Sequence, residues 1–248
     1  MATAAQPLLE PSSRVIFTEG GKGGVGKTAF TTGLVEWFDA NQIPYKLLDL
    51  DTENKARGSL THYFRDKTRK VNIHTSEGLD SFLDVLDEGT PIVIADMGAG
   101  SGQVAHKWFE SMYESAREIG VAFTAVGIIT PDPASVESVL SWAHALQHRV
   151  DYLIVKNALT DPADFSYWER STPAEQFRQV FQPQEITMEY RLPKFENPAR
   201  QYGVTLGQAA ARQANIPELQ QTTVVLRAQA YRRNLFAELD RVKDLLLL

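Results

Sequence analysis

The sequence predicts a doubly wound α/β fold: a mostly parallel sheet with helices on both faces. Apolar, strand-like runs alternate with helix-length amphipathic segments along roughly the first 160 residues. Several of these runs are continuously apolar, as expected of strands buried on both faces. Two of them end in a carboxylate, at the strand ends where open α/β sheets bind their ligands.

The elements follow in order. Arg14 to Glu19 is a β-branched and aromatic run, hence a first buried strand. Residues 28–40 place Phe30, Leu34, Val35, Trp37 and Phe38 near helical spacing. Residues 45–50 form a second strand that ends in Asp49-Leu50-Asp51 and is expected beside the first. Residues 71–74 make a weaker strand, and residues 91–96 a clear one that ends in Asp96. Residues 121–130 and 151–156 supply two more. Segments 79–88, 103–118 and 134–148 are amphipathic helices between them. From Thr160 to Pro183 prolines, aspartates and aromatics mix without periodicity, so an irregular excursion is expected. Residues 217–246 return to a long helical pattern. The reading is one domain over 14–248, preceded by a flexible lead at 1–13.

The 248 residues are enough for one domain of this size with a sizeable core. Hydrophobic residues make up 43% and charged residues 23%, an ordinary balance for a globular domain. No apolar stretch reaches membrane-spanning length. Residues 1–13 carry neither a basic region nor a long apolar run, against a secretory signal. The net charge of −6 argues against a protein coated for nucleic acid. The absence of cysteine fits a reducing compartment, and a cytoplasmic location is expected.

Between the first strand and the first helix lies Gly21-Lys22-Gly23-Gly24-Val25-Gly26-Lys27-Thr28. This is the spacing of a phosphate-binding loop in the strand–loop–helix context that such a loop requires. Glycines let successive backbone N–H groups curl around an anion. Lys27 reaches the phosphates as a point charge, and Thr28 offers a hydroxyl to Mg²⁺ at a helix N-terminus that favours negative charge. Asp49 and Asp51 could divide the tasks of holding a hydrated Mg²⁺ and positioning a nucleophilic water. Asp96, followed by Met97-Gly98-Ala99-Gly100-Ser101-Gly102, offers a further carboxylate before a glycine-rich turn.

Lys22 is the second lysine of the loop, and the string Lys22-Gly23-Gly24-Val25-Gly26-Lys27-Thr28 resembles the deviant Walker A motif of the ParA/MinD family of ATPases. The resemblance covers roughly residues 14–160. It implies a P-loop NTPase fold, Mg²⁺-dependent ATP hydrolysis and an ATP-driven homodimer in which Lys22 reaches the partner's nucleotide. It assigns Asp49 to the metal side, Asp51 to the attacking water, Asp96 to a Mg²⁺-bound water and Asn157, after the strand at 151–156, to adenine. Residues 156–159 hold no acid of the kind that reads guanine, which favours ATP over GTP. Leu192-Pro193-Lys194 resembles a later loop around the base. Relatives that hold iron–sulfur clusters or metalloids on cysteine thiolates are excluded, since this chain has none.

Such an engine serves plasmid or DNA partition, conjugative transfer or the positioning of cellular machinery, with a cargo or activator protein as partner. The alternatives are a nucleotide-dependent interaction switch with little hydrolysis, or a biosynthetic P-loop ligase. Lys55, Arg57, Arg65, Lys67, Arg69 and Lys70 cluster around Tyr63 and Phe64, a possible contact for DNA or a solvated face. The C-terminal basic and leucine-rich segment resembles MinD's membrane helix only in part. Glu238, Asp240 and Asp244 interrupt its basic face, so a helix packed on the sheet or a partner-binding tail is expected rather than membrane binding. His144 and His148 lack a third ligand, so no zinc site is expected.

Overall fold

A computed structural model describes residues 11–20, 22–51, 59–98 and 102–248, with the backbone alone at 76, 79, 102–105 and 108. Gly21 of the loop, Lys55 and Arg57 of the basic cluster, Ala99 to Ser101 and most of the N-terminal lead lie outside the described residues.

Seven strands form one sheet in the order β3-β2-β4-β1-β5-β6-β7. They are β1 (Ser13–Glu19), β2 (Lys46–Asp49), β3 (Thr68–Lys70), β4 (Ile92–Asp96), β5 (Val121–Ile129), β6 (Asp151–Asn157) and β7 (Gln184–Met188). Every neighbouring pair is parallel. The sheet that the sequence leads one to expect as mostly parallel is therefore wholly so among the described residues.

Burial on both faces follows from the strand sequences. In β1 all seven residues are buried. Ile16 joins one core with Leu34, Phe38 and Leu235, while its neighbours Val15 and Phe17 join the opposite core with Phe82, Phe109 and Trp142. On the first face lie α1 (Lys27–Ala40), α8 (Pro193–Tyr202), α9 (Leu206–Ala210) and α10 (Thr222–Arg241). Gly33 lets α1 and α10 meet closely: a Cβ there would stand 2.4 Å from a Leu235 methyl. On the other face lie α3 (Ser76–Asp87), α4 (Gly102–Glu118) and α5 (Pro133–Leu146). Asp132 caps α5 by accepting from the Ala134 amide at 2.9 Å, and Pro133 fills the first turn, where its missing N–H costs nothing.

Four expectations are corrected. β2 does not lie beside β1, because β4 pairs with both and separates them. Strand order is a long-range property that local pattern does not encode. The weak strand at 71–74 is displaced to Thr68–Lys70. Val71 still donates to the Asp49 carbonyl at 3.0 Å, but Asn72 then turns the chain by accepting from the His74 amide. The stretch 160–183 is not irregular throughout. It holds α6 (Ser166–Arg170) and α7 (Thr172–Phe181), whose Phe177 packs on both Trp168 and Tyr152, and it leads into β7 at the sheet edge. Residues 217–246 break into α10 flanked by two short 3₁₀ turns.

The C-terminal leucines are built into the fold. Arg14, 8% exposed at the start of β1, donates to the Leu247 carbonyl at 2.9 Å, to Thr124 Oγ1 at 2.8 Å and to Asp151 at 2.7 Å. Thr124 in turn donates to the Leu245 carbonyl at 2.6 Å, and Leu246 is fully buried. Among the described residues no helix is long and apolar enough to cross a membrane.

Candidate functional site

The C-terminal ends of β1, β4 and β2 meet the loop that enters α1. Gly26 caps that helix at φ 102, a left-handed conformation open to glycine, and no side chain caps the first-turn N–H groups. Gly24 is also left-handed, at φ 75, with open space where a side chain would stand. An uncapped helix N-terminus behind a glycine turn is an anion-binding feature.

Lys27 folds back over the loop. Its Nζ donates to the carbonyls of Gly20 and Lys22, both at 3.0 Å. Burial lowers its pKa, while the charges of Asp96 and Asp51 pull the other way. Thr28 donates to Asp96 Oδ2 at 2.8 Å. The other oxygen of Asp96 accepts from Thr31 at 3.0 Å and from Thr18 at 3.1 Å, and Thr18 accepts in turn from the Met97 amide at 3.0 Å. Burial pushes Asp96 up to about 6, against the pull of these hydroxyls.

Asp49 and Asp51 occupy different surroundings. Asp49 is fully buried, and both its oxygens are engaged. One accepts from the Asp51 amide at 3.1 Å, the other from the Thr61 amide and hydroxyl at 3.1 and 2.7 Å. It thereby ties α2 (Leu60–Tyr63) to the sheet. Asp51 lines the cleft with Lys27 and Thr28. Its carboxylate lies against Gly98, where an added Cβ would stand 2.6 Å from Oδ1.

Lys22 forms an ion pair with Asp132, the cap of α5, within the same chain. That contact and the Ala134 amide hold the Asp132 carboxyl below its ordinary range. Asn157 is fully buried at the end of β6 and donates to the Val25 carbonyl at 2.9 Å, while its Oδ1 has no partner among the described residues. It thus braces the loop, and Gly26 makes room for it: a Cβ there would come within 2.6 Å of Asn157 Nδ2.

These groups share a cleft of about 390 Å³. The structure brings together Gly23 to Thr28, Asp51 and Asn157 as its lining, with Asp96 directly beneath Thr28. Lys22 is turned aside to Asp132, and Leu192-Pro193-Lys194 lines a neighbouring groove. The far wall comes from Tyr63 on α2 and from Tyr190, Glu196 and Arg200 on and before α8, residues that sequence reasoning did not assign to the site. Thr18 and Thr31 were missed too. Thr31 stands one helical turn beyond Lys27, so helical spacing was the signal available for it.

Ion pairs engage two members of the basic cluster. Lys67 pairs with Asp39 at 2.9 Å and Arg69 with Glu88 at 3.6 Å.

Sheet order, loop and helix together define a P-loop NTPase fold. Compared with solved structures, the chain is similar to the MinD cell division protein of Aquifex aeolicus, with a TM-score of 0.51 at 14% identity over 94% of this chain and 97% of that one. A chain of the MinC:MinD cell division protein complex of the same organism gives 0.51 at 15% identity over 94% and 96%. A ParA family ATPase from Chlorobium tepidum gives 0.48 at 14% identity over 91% and 97%. No family model and no curated protein sequence matches the chain. At these identities the likeness to the two MinD chains is one of fold, and it agrees with the fold that the loop's resemblance implies.

Proposed function

We propose that this protein is an ATPase of the ParA/MinD kind, which binds Mg²⁺–ATP in the loop cleft, hydrolyses it and joins two copies of the chain in the ATP state. The observation that carries the reading is the convergence at one helix N-terminus: a glycine loop, uncapped amides, a buried lysine and a hydroxyl–carboxylate pair.

The residues present fit a triphosphate with its metal. The amides of residues 23–28 offer donors to phosphate oxygens, and Lys27 would exchange its two carbonyl contacts for them. Mg²⁺ binds through one or two protein oxygens plus phosphates and waters. Thr28 and Asp96 provide such a pair, Thr28 directly and Asp96 through water. Among the described residues no cluster of three or more His, Cys, Asp or Glu is placed to hold a metal without the nucleotide. Bound there, Mg²⁺ supplies charge neutralisation to the transferring phosphoryl group.

The remaining roles fall to side chains. Asp51, at the cleft wall beside Gly98, orients the attacking water, and Asp49 keeps α2 and the Asp51 amide in place from the metal side. Asn157 holds the loop and keeps its unpartnered Oδ1 for an amino group of the base. Lys22 acts across the dimer, which requires it to exchange Asp132 for the partner's nucleotide. Cargo belongs to partition, conjugative transfer or the positioning of cellular machinery in a cytoplasmic setting, with a cargo or activator protein engaged by the ATP form. DNA contact through residues 55–70 is a secondary expectation.

Lys27→Ala tests the site. Without the cation, phosphate charge sits in the loop unpaired, a loss of about 1.5–3 kcal/mol or more. A calorimetric titration should show ATP affinity reduced at least about tenfold, and hydrolysis should fall with it. Undiminished ATP affinity would remove the loop from the binding site.

A further inference from the structure

The loop, its helix and the acids beneath explain one wall of the cleft. The opposite wall has no role in that account. It is built by two elements distant in sequence, α2 and α8, packed so closely that a Cβ at Gly203 would stand 2.5 Å from the His62 carbonyl. From this wall Tyr63, Tyr190, Glu196 and Arg200 line the cleft across from Ala29 and Thr32 of α1. The four act on one another electrostatically: the charges of Arg200 and Glu196 both reach the Tyr63 and Tyr190 hydroxyls.

Ala29 follows the loop threonine and faces the cleft with no polar side chain. The Thr32 hydroxyl, also in the lining, is committed to the Thr28 carbonyl at 2.7 Å. The next side-chain donors for a phosphate beyond the loop and its first-turn amides are on the far wall. Arg200 is suited to the task. Its only ion pair among the described residues is with Glu196 at 3.6 Å, one helical turn away, and both side chains remain about half exposed or more, at 61% and 49%. Such a solvated pair contributes little and is readily exchanged. A guanidinium matches phosphate oxygens with paired, charge-assisted donors, as a lysine cannot.

We infer that Arg200, with the Tyr63 hydroxyl beside it, is a second phosphate-binding element of the cleft, contributed in cis from the wall opposite the loop and held in reserve by Glu196. This rests on the nucleotide-binding reading of the cleft. It makes Arg200 a specificity residue for the nucleotide's phosphate chain and makes Glu196 its competitor. The two substitutions then have opposite signs. Arg200→Ala removes donors from the bound phosphate. Glu196→Gln removes the rival carboxylate and leaves the arginine free.

The experiment is a calorimetric titration of the full chain with Mg²⁺–ADP, and with adenosine as the phosphate-free probe. Arg200→Ala should weaken ADP binding about tenfold or more, the range of a lost charge-assisted contact. Adenosine binding should not change, and Arg200→Lys should fall between. Glu196→Gln should bind ADP as tightly as wild type or more tightly. Unchanged ADP affinity in Arg200→Ala, with Lys27→Ala still defective, overturns the inference and leaves the loop assignment standing. Equal losses in Arg200→Ala and Glu196→Gln also overturn it, since they would mark the pair as a structural brace. Absence of ADP binding by wild type overturns both this inference and the nucleotide reading.

Discussion

Glu19 is the most exposed test of the site's electrostatics at the scale of single residues. It ends β1, one residue before the Gly20 carbonyl that Lys27 holds, and it is fully buried with neither oxygen bonded among the described residues. It faces Gly127 and Ile154 on the sheet and Val139 on α5, and its charge acts on the Tyr152 hydroxyl. Burial alone pushes its carboxyl up to about 8. A folded pKa above the unfolded value means that the native state holds the proton more tightly. Stability from this group is therefore full below about 4.5 and is lost as pH rises from there to about 8. Glu19→Gln, which cannot ionise, should flatten that slope. Thermal unfolding between pH 6 and 9 should show wild type losing midpoint with rising pH while the variant stays nearly level; parallel curves would mean that Glu19 is not the titrating group. Asp96 adds a smaller loss of the same sign up to about 6, which nucleotide-bound Mg²⁺ would offset.

The same scale shows what the sequence could disclose. Gly23 to Thr28 were legible because their chemistry is contiguous, and strand and helix flank them. The hydroxyls that hold Asp96, from Thr18 and Thr31, were hidden, since only folding brings β1, α1 and β4 together. Asp49 and Asp51 read as two acids sharing one site, and the fold gives one to Thr61 and the other to the cleft.

At the scale of elements, the C-terminal segment is decided by a clamp. The leucines at 245–248 read as a tail of open purpose, but Arg14 and Thr124 bind the carbonyls of Leu247 and Leu245. Arg14→Ala removes three contacts and leaves those of Thr124 and the tail carbonyl short of a donor. The expected cost is about 1–3 kcal/mol. A denaturant titration should show that loss, and an unaltered midpoint would mean that the tail is not held by the clamp. Longer elements were legible. Lys27–Ala40 and Gly102–Glu118 were found almost to the residue, whereas α6 and α7 are short and bury few side chains, in a stretch broken by prolines and aspartates. The four-residue helix α2 lies within a basic, aromatic stretch, so its place in the cleft wall was invisible.

For the whole molecule, the sequence conveyed layer and class but not strand order. Each strand's apolar run says that it is buried, and none says which strand is its neighbour. Placing β4 between β1 and β2 sets Asp96 under Thr28 and makes Asp49 its neighbour in register on β2, where Asp49 holds α2. Lys22 stays outside the cleft lining, on a partly exposed ion pair with Asp132.

The central claim is that Mg²⁺–ATP in this cleft joins two copies of the chain through Lys22. Light scattering of Asp51→Ala, which should bind ATP but hydrolyse it poorly, tests this most directly, with Mg²⁺–ATP and Mg²⁺–ADP compared and Lys22→Ala added to the Asp51→Ala background. The account predicts a doubled mass with ATP only, lost when Lys22 is replaced although ATP still binds. A mass that stays monomeric under saturating Mg²⁺–ATP, with binding demonstrated in the same sample, would contradict it.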